Sequence, residues 1–137
     1  MTADRPHDEL VDQFSAYYAS AGSTPLRALE QRVFGSDYGG NGYTNIEDAH
    51  RLADLLHLGP TSVLLDIGTG AGWPGLYLAE HTGCRVILTD MPSEGLHVAQ
   101  ARAGTEHIDG VAVQADGSQL PFRKASFDAV THADVLC

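Results

Sequence analysis

Residues 63–72 read Val63-Leu64-Leu65-Asp66-Ile67-Gly68-Thr69-Gly70-Ala71-Gly72, a short apolar run that meets three glycines at alternate positions. A run of this length closed by a turn signal predicts a buried strand. Alternating glycines at its end permit positive φ in a tight turn and remove the side chains that would keep another molecule from the backbone. A helix is expected from about residue 73, and its free N-terminal N–H groups would face an anionic group held at the turn. We therefore place a ligand there. A turn that only packs helix on strand is the less favoured alternative.

Outward from this turn, residues 61–137 alternate between strand and helix. Strands are predicted at 62–67, 85–89, 111–114 and 127–132, and helices at 73–81 and 93–103, with Pro121 in the last connection. Parallel neighbours need a covering helix to return the chain, so the pattern predicts a mostly parallel, doubly wound α/β sheet. Residues 1–60 read as helices instead. Leu10, Val11, Phe14, Tyr17 and Tyr18 recur at helical spacing after Pro6, and a second helix follows Ser23-Thr24-Pro25 through Leu26, Leu29 and Val33. Residues 35–42 read as a loop. A third helix is predicted over 45–58, capped by Thr44 or Asn45, with Ala49, Leu52, Ala53, Leu55 and Leu56 on its apolar face and Gly59-Pro60 as its stop.

The chain of 137 residues carries 8 Lys and Arg against 18 Asp and Glu, a formal net charge of -10. At this length one domain is expected, with residues 1–60 as a helical lid region and 61–137 as a ligand-binding core. The acidic excess is the same on both sides of residue 60, which argues against nucleic acid as a partner. Apolar runs are far shorter than the ~20 residues that span a bilayer, and the start of the chain is not leader-like, so no membrane association is expected. Cys84 and Cys137 make neither a disulfide framework nor a zinc spacing, which suggests a reducing, cytoplasmic setting.

Which ligand the turn takes is a question of charge. Gly70-Ala71-Gly72-Trp73-Pro74-Gly75 matches the dinucleotide fingerprint G-x-G-x-x-G, a weak signal alone. Asp66, two residues before the first glycine, is expected to repel a diphosphate and to suit an ammonium group. S-adenosylmethionine carries such a group and no phosphate. Asp90, 24 residues on at the end of the second strand, suits a pair of ribose hydroxyls, although capping the next helix is its plainer role. Asp116-Gly117 offers a carboxylate for an adenine amino group, with Met91 and Leu120 as apolar walls.

Taken together, residues 63–72, Asp90, Asp116-Gly117-Ser118-Gln119-Leu120-Pro121-Phe122 and Ser126-Phe127-Asp128-Ala129-Val130 resemble the class I S-adenosylmethionine-dependent methyltransferases. The likeness spans about residues 43–137 and is to the subgroup with the ubiquinone and menaquinone biosynthesis (methyltransferase type 11) kind of domain. It implies a Rossmann-like sheet and a methyl transfer that converts S-adenosyl-L-methionine to S-adenosyl-L-homocysteine. It also implies that Asp66, Gly68 and Gly70 serve the methionine part, Asp90 the ribose, and Asp116 and Gly117 the adenine, with Thr69, Gly72 and Met91 also counted as cofactor-binding. Ala133-Asp134 would flank the transfer site and Tyr43 would cover the cofactor. The family sheet has seven strands in the order 3-2-1-4-5-7-6. This sequence supplies 3-2-1-4, so a fragment, or self-association through an exposed fourth-strand edge, is expected.

Methyl transfer from a sulfonium has a good leaving group, so catalysis can rest on holding a small-molecule acceptor in line, with a base only where the acceptor must lose a proton. His132, at a strand end, is the candidate base, against the plainer reading of a solvated side chain. Tyr17 and Tyr18 are more often core than pocket, Trp73 is expected to pack against the sheet or the N-terminal helices, and no metal site is expected at Asp134. Rival readings are a cofactor-binding fragment without turnover and an NAD(P)-dependent oxidoreductase.

Overall fold

A computed structural model of the chain describes residues 5–40 and 42–135. Three helices, α1 (Arg5–Ala21), α2 (Thr24–Phe34) and α3 (Ile46–Leu55), precede β1 (Val63–Ile67). Then come α4 (Gly75–Thr82), β2 (Arg85–Asp90), α5 (Ser93–Thr105), β3 (Gly110–Gln114) and β4 (Ala129–Thr131). The strands form one sheet in the order β3-β2-β1-β4, every pair parallel, which is the predicted Rossmann-like α/β topology. β2 and β3 lie on one side of β1 and β4 on the other. The chain thus reverses direction at β1, and the crevice beyond the carboxyl ends of the strands there is where such sheets hold ligands.

The core lies between the sheet and its helices. Leu64 of β1, Val86 and Leu88 of β2, Leu76 of α4 and Ala99 of α5 are each fully buried. Burying a Val or Leu side chain in this way stabilises the fold by about 1.5–3 kcal/mol. Near-continuous apolar strands, rather than alternating ones, are what a sheet covered on both faces demands.

Several elements differ from their predicted bounds. α3 starts as expected with a capping box, in which the Asn45 side chain accepts from Asp48 N and the Asp48 carboxylate from Asn45 N. It stops at Leu55 instead of residue 58, because His57 enters the left-handed region at φ 51° and Leu58 N turns back to Ala53 O. α4 begins at Gly75, after a cis Trp73-Pro74 bond, rather than at Trp73. β4 is only three residues long, since Phe127 leaves the sheet to pack edge-on against Phe122 at 5.1 Å.

α2 buries a face other than its aliphatic one. Leu29 and Val33 are exposed, whereas Glu30 is buried and accepts a hydrogen bond from Gly39 N at 3.1 Å. An ionic cluster fixes this orientation. Arg27 of α2 and Arg102 of α5 both pair with Asp37 at 2.8 Å, and Arg102 also binds Glu106 and lies over the Tyr38 ring at 3.5 Å. The loop at 36–40 is thereby tied to α2 and α5.

Candidate functional site

The glycine turn adopts the positive φ its sequence predicts, +70° at Gly68, +55° at Gly70 and +114° at Gly72. Most of its N–H groups are already engaged, however, which corrects the expectation of an anion-binding turn. Gly68 N and Thr69 N donate to Thr89 O, Gly70 N to the Asp90 carboxylate, and Gly72 N and Trp73 N to Thr69 O. The turn is folded back on its own strands and needs no outside acceptor for those donors.

Asp66 is the second correction. Its carboxylate does not enter the crevice but is completely buried beneath the turn. One oxygen accepts from Thr69 Oγ1 at 2.7 Å and Gly75 N at 3.0 Å, the other from Thr131 Oγ1 at 2.6 Å. The negative charge therefore sits at the N-terminus of α4, where it complements the helix dipole and joins β1, β4 and the turn. Burial pushes its pKa up to about 6, with the three hydrogen bonds opposing the rise. Gly72 likewise works in packing, since a Cβ there would collide with Leu76.

Above the turn lies a cavity of about 810 Å³, within the ~300–1,000 Å³ range of small-molecule sites. Its lining includes Gly68, Thr69, Asp90, Met91, Asp116, Gly117, His132 and Ala133, with Tyr43 and Asp134 on the loop side. Nine of the proposed positions thus meet in one space, counting His132, while Asp66, Gly70 and Gly72 stay outside it. Asp90 is held rigidly. Its Oδ2 accepts from Gly70 N at 2.7 Å and its Oδ1 from Met91 N at 2.8 Å, and burial pushes its pKa up while these bonds lower it. Asp116 Oδ1 accepts from both Ser118 N and Ser118 Oγ, an Asx turn that fixes the carboxylate on the rim.

The loop before α3 closes one side. Asp134, at φ 59°, accepts from Tyr43 N at 3.0 Å and Thr44 N at 3.1 Å, and Trp73 Nε1 donates to Thr44 O at 3.0 Å. Trp73 packs against Tyr38 and Tyr77, so it sits beneath this loop. Tyr43 itself is 87% exposed and stands at the rim rather than over the cavity. Among the described residues no group of three or more His, Cys, Asp or Glu is placed to hold a metal ion.

A further wall comes from the helical region expected to lie over the site, and Tyr18, expected more often as core than as pocket, is part of it. α1 lines the cavity with Leu10, Val11, Phe14 and Tyr18. Tyr18 is buried, and a Cβ on Gly70 would lie 2.5 Å from its hydroxyl. Burial, with the nearby Asp90 charge adding to it, pushes the Tyr18 phenol pKa up. The i, i+4, i+8 spacing of Leu10, Phe14 and Tyr18 was visible in the sequence but reads equally well as core.

Comparison with known proteins adds the following. The family model described as "Methyltransferase domain" matches residues 65–137. "Sterol methyltransferase-like 1" of Botryococcus braunii is 32% identical over 91 residues, which is 64% of this chain and 23% of that protein. The malonyl-acyl-carrier-protein O-methyltransferase of Herminiimonas arsenicoxydans is 39% identical over 89 residues, 64% of this chain and 32% of that one. Among solved structures, geranyl diphosphate C-methyltransferase from Streptomyces coelicolor, in complex with Mg2+, geranyl diphosphate and S-adenosyl-L-homocysteine, superposes with a TM-score of 0.58 at 25% identity. That match covers 63% of this chain and 33% of the other. The chain spans only 23%, 32% and 33% of the lengths of these three relatives.

Proposed function

The chain belongs to the methyltransferase domain family, and from that premise we propose that it binds S-adenosyl-L-methionine above the glycine turn and methylates a small-molecule acceptor, leaving S-adenosyl-L-homocysteine. The observation that carries this reading is Asp90, a carboxylate held rigidly at the end of β2 with the cavity before it. The donor chemistry of the site fits the cofactor. Asp90 and Asp116 only accept hydrogen bonds when ionised, so they suit ribose hydroxyls and an adenine amino group. A dinucleotide would bring a diphosphate to a turn whose N–H groups are largely satisfied, which disfavours the oxidoreductase alternative more firmly than Asp66 does.

Bound there, the cofactor supplies an electrophilic methyl on a sulfonium. The chain's own part is to orient and to exclude water. Asp90 holds the ribose, Asp116 and Gly117 the adenine with Met91 as an apolar wall, and Gly68 and Thr69 the methionine side. Ala133 flanks the transfer site, and Tyr43 guards its rim. His132 takes a proton where the acceptor must lose one. Residues 1–60 act as a lid on a core of 61–137, since α1 and the loop residues Gly42 and Tyr43 line the same cavity. We place the protein in the cytoplasm. No helix among the described residues is long and apolar enough to cross a membrane, and Cys84 is a free, buried thiol. The net charge of -10 argues against a polyanionic partner. Pairing of two copies along β4 completes the reading.

Calorimetric titration with S-adenosyl-L-methionine, S-adenosyl-L-homocysteine and NAD tests it. Saturable binding of the two sulfur ligands is expected, and Asp90→Ala should weaken it about 10–100-fold while costing about 1–2 kcal/mol of stability, since Gly70 N loses its acceptor. Saturable NAD binding with no response to either sulfur ligand would overturn the proposal. A second reading is binding without turnover. An acceptor screen with a methyl-labelled donor separates the two.

A further inference from the structure

The cavity has two chemically different ends. At the glycine turn are Asp90 and the buried Tyr18, and from there α1 carries an apolar stripe outward through Phe14 to Leu10. Eight residues of helix at 1.5 Å each make this wall about 12 Å long. Phe14 and Tyr18 are stacked with ring centroids 6.0 Å apart, so the wall is continuous where the two ends meet. Leu10 is 52% and Phe14 45% exposed, an unusual placement for large apolar side chains on adjacent turns.

The charged groups of the lining are all acidic, namely Asp90, Asp116 and Asp134, and His132 is the one other titratable imidazole or cation there among the described residues. An anionic headgroup brought into this space would face three carboxylates, and burying a charge without a partner is costly. An uncharged or cationic molecule meets no such penalty.

We propose that the Leu10–Phe14 wall of α1 is the acceptor subsite, and that it takes a molecule with an elongated apolar body and no anionic group. This rests on the methyl-donor reading above, which assigns the Asp90 end to the cofactor. Phe14 and Leu10 determine specificity by contact with that body. The α1 wall thereby has a use, and the acid residues of the cavity exclude fatty-acid-like and phosphorylated acceptors, which unlike the zwitterionic donor bring no ammonium of their own.

The test uses the full chain and the neutral fluorophore N-phenyl-1-naphthylamine, titrated with and without saturating S-adenosyl-L-homocysteine at pH 8. Competition with decylamine, 1-decanol and decanoate, which share one chain and differ in headgroup charge, reads out selectivity. Decylamine and decanol are expected to displace the probe at about tenfold lower concentration than decanoate. Phe14→Ser should weaken probe binding about tenfold and leave the affinity for S-adenosyl-L-homocysteine unchanged. Leu10→Lys, at an exposed position where folding is not in question, should shift the ranking toward decanoate. Decanoate competing as well as decylamine, or both variants behaving like wild type, would overturn the inference. Failure of S-adenosyl-L-homocysteine to bind instead strikes only the donor reading, because probe displacement without it still reports the apolar subsite.

Discussion

Asp66 shows how one residue can be legible in identity and illegible in role. Its position two residues before a glycine turn marks the site, but a sequence does not say whether the carboxylate points over the turn or beneath it. The structure turns it beneath, onto Thr69, Thr131 and Gly75 N. Keeping this group ionised there opposes folding, since its pKa is about 6 in the folded chain and ~3.9 in an unfolded one. Between about pH 4 and pH 6 the folded state binds the extra proton, so the contribution of Asp66 to stability falls as pH rises through that window. The loss amounts to about 3 kcal/mol by pH 7. Asp66→Asn, whose amide can satisfy the same three partners, should remove this slope. Urea melts of both proteins from pH 4 to pH 8 would show it as a changing stability difference, and parallel profiles would contradict it. Asp66→Ala should cost about 3 kcal/mol at pH 5, since it strands a buried N–H and two hydroxyls.

At the level of elements, the glycines divide into those that shape the turn and those that let elements approach. Gly75 belongs to the second kind. A Cβ there would lie 2.6 Å from Asp66 Oδ2 and 2.8 Å from both Asp66 Cβ and Leu88 Cδ2, so α4 can sit on β1 and β2 only because residue 75 has no side chain. Gly75→Ala is expected to destabilise by about 2–3 kcal/mol through overpacking. Gly104, near the end of α5, meets nothing within 4 Å, and Gly104→Ala should stabilise by about 0.5–1 kcal/mol. Opposite shifts in thermal melting midpoint are the check. The alternation of strand and helix, and the Asn45 cap of α3, were readable from spacing and capping chemistry alone. The end of α3 was not, because His57 took the left-handed position that Gly59 seemed to offer.

Among the described residues the sheet has two edges, and they are treated differently. On the β3 side, Gln100 of α5 covers the outer backbone, its side chain accepting from Ala112 N at 2.8 Å and donating to Gly110 O at 3.3 Å. β4 has no counterpart to Gln100 among the described residues, and its Val130 is 48% exposed. An uncovered edge of this kind invites strand pairing. Light scattering over a concentration series should show a dimer that Val130→Lys returns to monomer, and a wild-type monomer throughout would exclude pairing by this edge. The sequence by itself determined the parallel sheet and the placing of Asp90 at a strand end, because apolar runs, glycine turns and strand-end acids are local patterns, whereas the strand order came from the likeness to the methyltransferases. Only the tertiary structure decided that Asp66 faces inward, that the turn's N–H groups are largely satisfied and that α1 walls the cavity. Those facts depend on which side of an element meets which neighbour, and an amphipathic stripe is the same in sequence whether it faces a core or a cavity.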